Sequence, residues 1–455
     1  MKRYTYIICS LLLYGMSLWA ASPTKTLPII YVNTQDGRAI QDTETQISAT
    51  LYIDSVLAEY KSLGSASEPL SATIKGRGNW TWNGFDKKPY KIKLEEKHKV
   101  LGMPKNRHWC LLAFADDPLG FLKNPAGHRI SEATGMRWSP RMVPVELVLN
   151  GQYKGLYFLS EHVRIASHRV NIHEQAQNET HSDSITGGWL VEVDNYPTEN
   201  NIVVYEGNGQ EVMVSLREPD ELSNSQRTYI VNQINAINNT LYGSSPTRLS
   251  QLIDLDEAAR YYLVQEIMED CESYHGSCFL YKDRDSLGVA DPWKFGPVWD
   301  FGNAYFRHQE TWIYENPTWP QYWIGQLAQW PEFQQKVKEQ WWIYYHTQKD
   351  LVRSDIRQLA DKIEKAAKRD ADVWRNTSNY CDNSNYSDVR DRFFRRYDWR
   401  IEWLYSQWGE GIQPATWGID NVQNDKVQNT KVLRNGQILI LRGNKTYNLQ
   451  GQEVR

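Results

Sequence analysis

Residues 261–306 read YYLVQEIMEDCESYHGSCFLYKDRDSLGVADPWKFGPVWDFGNAYF, and this stretch constrains the fold more than any other. Ahead of it, after Asp254 as N-cap, Leu255, Ala259, Tyr262, Leu263 and Ile267 recur at helical intervals. The spacing predicts a buried helix that runs straight into the acidic loop Glu269-Asp270-Cys271-Glu272. Residues 278–281 and 295–299 then read as two short apolar strands, joined by a polar connector containing Gly288 and Pro292. The stretch closes with Asp300-Phe301-Gly302. A hairpin with a long connector folds residue 300 back beside residue 272, so both acidic ends meet in one cleft. Phosphotransferases assemble a site in this order: one carboxylate orients the acceptor hydroxyl, and a second, beyond a short hairpin, holds magnesium against the nucleotide phosphates. Glu272 or Asp270 suits the first role and Asp300 the second.

The rest of the chain divides around this join. Residues 27–94 are extended in pattern, with Pro28-Ile29-Ile30-Tyr31-Val32, Ala49-Thr50-Leu51-Tyr52-Ile53 and Ala72-Thr73-Ile74 as β-rich runs between polar turns. Tyr90, Ile92 and Leu94 alternate with Lys91 and Lys93, the period of a half-buried strand with cations on its other face. In the turn Gly76-Arg77-Gly78-Asn79, glycine lets the backbone approach a phosphate closely. Residues 118–134 predict a helix stopped by Gly135, and Asn150-Gly151 predicts a hairpin between strands at 143–149 and 154–160. Residues 187–194 form a further strand. Beyond Leu222 the pattern is mainly helical, with long apolar-periodic runs at 331–374 and 387–408 around a polar loop at 376–387. Residues 409–431 are linker-like, and 432–455 read as two or three short strands.

Lys2 and Arg3, an apolar run to Trp19 and then Ala20-Ala21-Ser22 have the layout of a secretory signal peptide, residues 1–20. An exported protein without a transmembrane segment is expected. The 51 Lys and Arg, less the two in the leader, against 55 Asp and Glu leave −6, which offers no basic excess for nucleic acid. Beyond the leader lie Cys110, Cys271, Cys278 and Cys381. Cys271 and Cys278 bracket the candidate catalytic loop, either as a disulfide that export permits or as two small buried side chains. The 19 Trp and 27 Tyr suit either stacking on a glycan or core packing.

Several ordered motifs then share one source: Arg77-Gly78-Asn79, Lys87-Lys88-Pro89-Tyr90-Lys91-Ile92-Lys93-Leu94, Leu101-Gly102-Met103-Pro104-Lys105-Asn106, the Asn150-Gly151 hairpin, Gly187-Gly188 with Glu192 and Asp194, Leu280-Tyr281-Lys282-Asp283, and Gly296-Pro297-Val298-Trp299-Asp300-Phe301. With these the chain resembles the CotH family, the spore-coat-protein-H group of atypical secreted kinases, over residues 27–408. The resemblance implies an α+β, atypical protein-kinase-like two-lobed fold, with a sheet-rich N-terminal half, a helical C-terminal half and a short β-rich tail. It implies phosphate transfer from ATP, with Mg or Mn, to a secreted or surface protein. Asp300 matches the family's metal-binding aspartate, Glu272 stands where the catalytic aspartate is usual, and Asp270 where asparagine is common. Ser277 holds a place where some members carry a metal-liganding asparagine. Arg77, Lys88 and Lys91 belong to the basic block expected at the phosphates. Gly302 replaces the second carboxylate of the family's Trp-Asp-x-Asp motif, and a catalytically weakened or inactive surface protein of the same fold that binds glycan or a protein partner is the alternative. The tail resembles the sorting segments of type IX secretion cargo, which places the protein at the surface of a Gram-negative cell.

Overall fold

The computed structural model describes residues 22–196, 201–207, 209–243, 248–306, 310–316 and 320–415, together with short strands between 429 and 454. The expected signal peptide lies outside the described residues. By contact the chain separates at residues 412 and 413 into two units.

In the larger unit the first sheet comprises β1 (Ile29–Thr34), β2 (Ile47–Asp54), β3 (Leu70–Gly76), β4 (Tyr90–Val100), β5 (Met103–Leu112), β6 (Met142–Leu149) and β7 (Gln152–Glu161). Its order is β1-β2-β3-β4-β5-β7-β6, and β6 returns to pair in parallel with β1, Ile29 opposite Glu146, so the sheet closes into a barrel. The alternating apolar residues expected at Ile74, Ile92 and Leu94 point inward and pack with Trp109, Val145 and Leu159. Asn150, in the left-handed region at φ 51°, and Gly151 make the tight turn between β6 and β7, as their type predicts.

A second, five-stranded sheet holds β8 (Trp189–Val193), β9 (Asn201–Tyr205), β10 (Glu211–Glu218), β11 (Cys278–Lys282) and β12 (Lys294–Phe295), in the order β12-β11-β8-β10-β9. The helices are α1 (Trp80–Gly84), α2 (Lys123–Ala133), α3 (Asn224–Leu241), α4 (Leu249–Leu252), α5 (Leu255–Met268), α6 (Tyr322–Leu327), α7 (Pro331–Thr347), α8 (Lys349–Trp374) and α9 (Tyr386–Trp408). Together with the second sheet they bury one extensive core, into which Trp189, Trp293, Trp323 and Trp341 are sunk, so these four tryptophans serve packing. Among the described residues no helix is long and apolar enough to cross a membrane.

The α+β class stands, but the two-lobed kinase fold expected from the resemblance does not form. The sheet-rich half is a closed seven-stranded barrel, and a separate sheet follows it in sequence. The physical reason is the parallel pairing of β1 with β6, which leaves the first sheet no open edge. No disulfide joins Cys271 to Cys278; both are buried thiols, and burial pushes the Cys278 thiol up to about 12.

In the smaller unit, β13 (Asn429–Arg434), β14 (Gln437–Arg442), β15 (Lys445–Tyr447) and β16 (Glu453–Val454) form one antiparallel sheet in sequence order.

Candidate active site

Helix α5 starts as its sequence predicts, with the Asp254 carboxylate accepting the Glu257 amide at 3.1 Å. It ends at Glu269, which takes a left-handed φ of 49° and turns the chain into the acidic loop. Asp270 forms an antiparallel bridge with Ala304, and the Tyr305 amide donates to the Met268 carbonyl. These two ties lock the 269–272 loop to the 300–305 loop. They bring Glu272 and Asp300 into one cleft of about 1390 Å³. Behind the second loop, Phe301 packs against the His128 ring of α2, and its amide donates to the Asn124 side chain at 3.0 Å. Gly127 makes this packing possible, since a Cβ there would come within 2.3 Å of the Phe301 ring.

Asp300 is exposed to the cleft and sits at φ 60°, and Ser277 at φ 53° and Tyr305 at φ 56° line the same cleft. Non-glycine residues adopt this region at a cost that surrounding structure must hold in place, and such residues concentrate at functional sites. Glu272 also lines the cleft and accepts a short hydrogen bond from the Asn303 amide. Burial, then the charge of Asp300, then those of Asp194 and Asp116, push its carboxyl up to about 7. Asp270 is different: it is fully buried, it is not among the cleft-lining residues, and its Oδ2 has no hydrogen-bond partner. Burial and the charges of Glu272 and Asp300 raise its pKa well above the usual carboxylate range. Ser277 lines the cleft beside these groups.

Asp116, which sequence reasoning passed over, completes this wall. Asp117 turns the chain into α2 by accepting the Leu119 and Lys123 amides at 2.7 and 3.0 Å, while its neighbour Asp116 lines the cleft. A Cβ built on Gly302 would lie 3.2 Å from both Asp116 Oδ2 and Asp300 Oδ1, so the glycine leaves room for two carboxylates to approach. Burial raises the Asp116 carboxyl to about 6, opposed by Lys123 and reinforced by Asp300. The Lys123 ammonium makes a short bond to the Gly302 carbonyl and steadies the loop from below. The sequence signal was the Asp116-Asp117 pair just ahead of a predicted helix, where one acid caps and the other is spare. On the second sheet, Arg217 bonds to Glu192 at 2.5 Å and to Asp194 at 2.8 Å, and all three line the cleft.

The barrel supplies the cations. Arg77 and Lys91 line the cleft, and the Arg77 guanidinium lies 5.4 Å from the centre of the Trp299 ring. Burial lowers the Lys91 pKa, opposed by Cys110 and reinforced by Lys75, Arg77 and Arg164. The structure places Lys88 elsewhere: its ammonium stacks on the Trp82 ring at 5.3 Å and it is not among the lining residues. Its neighbour Lys87 faces the cleft, but its amine is committed to Asp370 at 2.8 Å and the Leu156 carbonyl at 2.7 Å.

The carboxylates fit a hard divalent cation. Four acids whose carboxyls are raised by burial first and by neighbouring acids second face or flank one space, and a cation there would offset that charge. Among the described residues no three His, Cys, Asp or Glu side chains converge as a metal cage. One or two carboxylates with the remaining positions left to phosphate and water is the usual arrangement for magnesium at nucleotide sites.

The closed barrel and the second sheet share this acid-walled, cation-lined cleft, and the family comparison bears on it. The model of the CotH kinase protein family matches residues 74–404, and the chain belongs to that family. A search of curated proteins returns no match to it.

Proposed function

We propose that the protein transfers the terminal phosphoryl group of ATP to a hydroxyl on a secreted or surface protein. The observation that carries this reading is the convergence of Asp300, Asp116 and Glu272 with Arg77 and Lys91 on one cleft in a chain of the CotH kinase family. Asp300, with Asp116 beside it, would hold the divalent metal. Magnesium or manganese, when bound, neutralises charge on the phosphate oxygens. Arg77 and Lys91 meet the phosphates from the barrel wall. Glu272 takes the proton of the acceptor hydroxyl: it lines the cleft, and a pKa of about 7 suits a general base at neutral pH. Asp270, fully buried behind the loop, shapes the position of Glu272 through the Glu272 amide, which it accepts at 3.4 Å, and is not itself the base. Ser277 offers a hydroxyl in place of an amide ligand. The leader-like start and the sorting-like tail support export, to the medium or to the cell surface of a Gram-negative bacterium.

Titration calorimetry of the purified protein with ATP and manganese tests the reading. Metal-dependent binding at sub-millimolar nucleotide is expected. No metal-dependent heat at millimolar ATP would count against phosphoryl transfer and in favour of a non-catalytic binding protein.

A further inference from the structure

Helix α9 carries five arginines, and they fall into two groups. Arg390 pairs with Asp361 and Asp391, and Arg400 is buried against Glu266 at 2.7 Å. Arg392, Arg395 and Arg396 instead line the cleft together with Trp399. These four stand at i, i+3, i+4 and i+7, one stripe of a helix. Arg392 has a single half-exposed partner, Asp388 on its own helix, at 3.2 Å. Arg395 and Arg396 have no acidic partner among the described residues, and the buried Nη1 of Arg396 has no hydrogen bond. Like charges at this spacing destabilise a helix, and a buried guanidinium nitrogen without an acceptor costs more.

The stripe lies beside the loop that carries Asp300 and Asn303. Phe393, one residue from it, packs on Tyr305 at 5.8 Å, and Tyr305 belongs to the loop that carries Asp300 and Asn303. The nucleotide cations Arg77 and Lys91 come from the barrel instead. We propose that the α9 stripe receives the acceptor segment of the protein substrate, and that this segment is acidic, with Asp or Glu flanking the hydroxyl residue. Guanidinium forks match carboxylates in charge and in geometry, and Trp399 offers an apolar floor between them. This inference rests on the phosphoryl-transfer reading for the direction of the acceptor, and its test does not.

The probe is a fluorescein-labelled peptide with one serine flanked by glutamates, compared by anisotropy with its glutamine counterpart. Binding is measured without nucleotide, and ATP with manganese is titrated separately by calorimetry. The acidic peptide binds about tenfold tighter than the neutral one, which is about 1.4 kcal/mol, and the advantage shrinks in high salt. Arg395→Gln/Arg396→Gln removes that preference and leaves ATP affinity unchanged. Arg395→Glu, at an exposed position that cannot disturb the core, reverses the preference. Equal binding of the two peptides, or a preference that survives the double variant, overturns the inference. So does a loss of ATP affinity in the variants that exceeds the loss for peptide, since the stripe is then a phosphate site. If ATP fails to bind while the acidic peptide binds and the variants abolish it, the docking surface stands and the phosphoryl-transfer reading falls.

Discussion

The Glu272 carboxyl is held by burial and by neighbouring acids at a pKa of about 7, against an ordinary 4.5. As a base it acts only when ionised, so the transfer rate rises with pH through about 7 and then levels. Glu272→Gln keeps ATP binding and slows transfer by roughly 10²–10⁴, measured by single-turnover transfer of labelled phosphate. Stability follows the same proton with the opposite trend. A group whose folded pKa is raised contributes stability that is fully present below its unfolded value and lost as pH rises through the folded one. Glu272→Gln therefore raises the melting temperature at pH 8 and leaves it nearly unchanged at pH 4, and an equal effect at both values would show that the proton is not the cause. Asp300→Asn preserves the fold but abolishes the rise in melting temperature that manganese and ATP give the wild type, because it neutralises the cleft-facing carboxylate of the turn. At this scale the acids of the two loops were legible, since type and order alone mark them. Which of two adjacent lysines is sunk and which turns away was not, because Lys87 and Lys88 differ only in the direction the strand edge gives them.

Between elements, one buried ion pair carries much of the connection. The side chains of Lys87, ahead of β4, and Asp370, on α8, are both fully inaccessible, and Asp370 also accepts from the Leu156 amide at 2.7 Å and the Tyr380 hydroxyl at 2.6 Å. Gly155 leaves room for this contact: its φ is 91°, and a Cβ there would fall 2.0 Å from Asp370 Oδ1. Removing one member of a buried pair strands the other, so Asp370→Ala lowers stability by about 3–5 kcal/mol, read from urea denaturation. A cost under about 1 kcal/mol would mean that water reaches Lys87 and the pair is not what joins α8 to the barrel. Gly127→Ala acts on the site from behind. Its methyl group pushes Phe301, and with it Asp300, so ATP with manganese binds at least tenfold more weakly while the far face of α2 is untouched. The helix and hairpin around the acidic loop were readable because their signals are local: Asp254 as cap, apolar period, Asn150-Gly151 as turn. The second sheet was readable only in pieces, because β8 pairs with β10 and β11 from opposite sides across long intervals of chain.

For the whole molecule, periodicity separated sheet-rich from helical halves but could not show that the first sheet closes on itself. Alternation fixes which face of a strand is buried, and it carries no information about which distant strand lies beside it. The family resemblance therefore suggested a two-lobed shape where a barrel stands. The tail behaves as a separable unit by contact, and deleting residues 432–455 is expected to leave a folded protein that stays in the periplasm; surface display at the normal level, followed by protease shaving of intact cells, would remove the sorting role. The parallel seam between β1 and β6 has one more consequence, which concerns time. The first strand can make only half of its ladder bonds with β2, and its other edge waits until residues 146–149 have left the ribosome. Contacts so distant along the chain form late, because the intervening loop must close before they yield any stabilisation. A nascent chain of this protein thus stays unsealed through its first third, a window in which it can still be threaded through a narrow channel, and the seam is the stitch that ends that window.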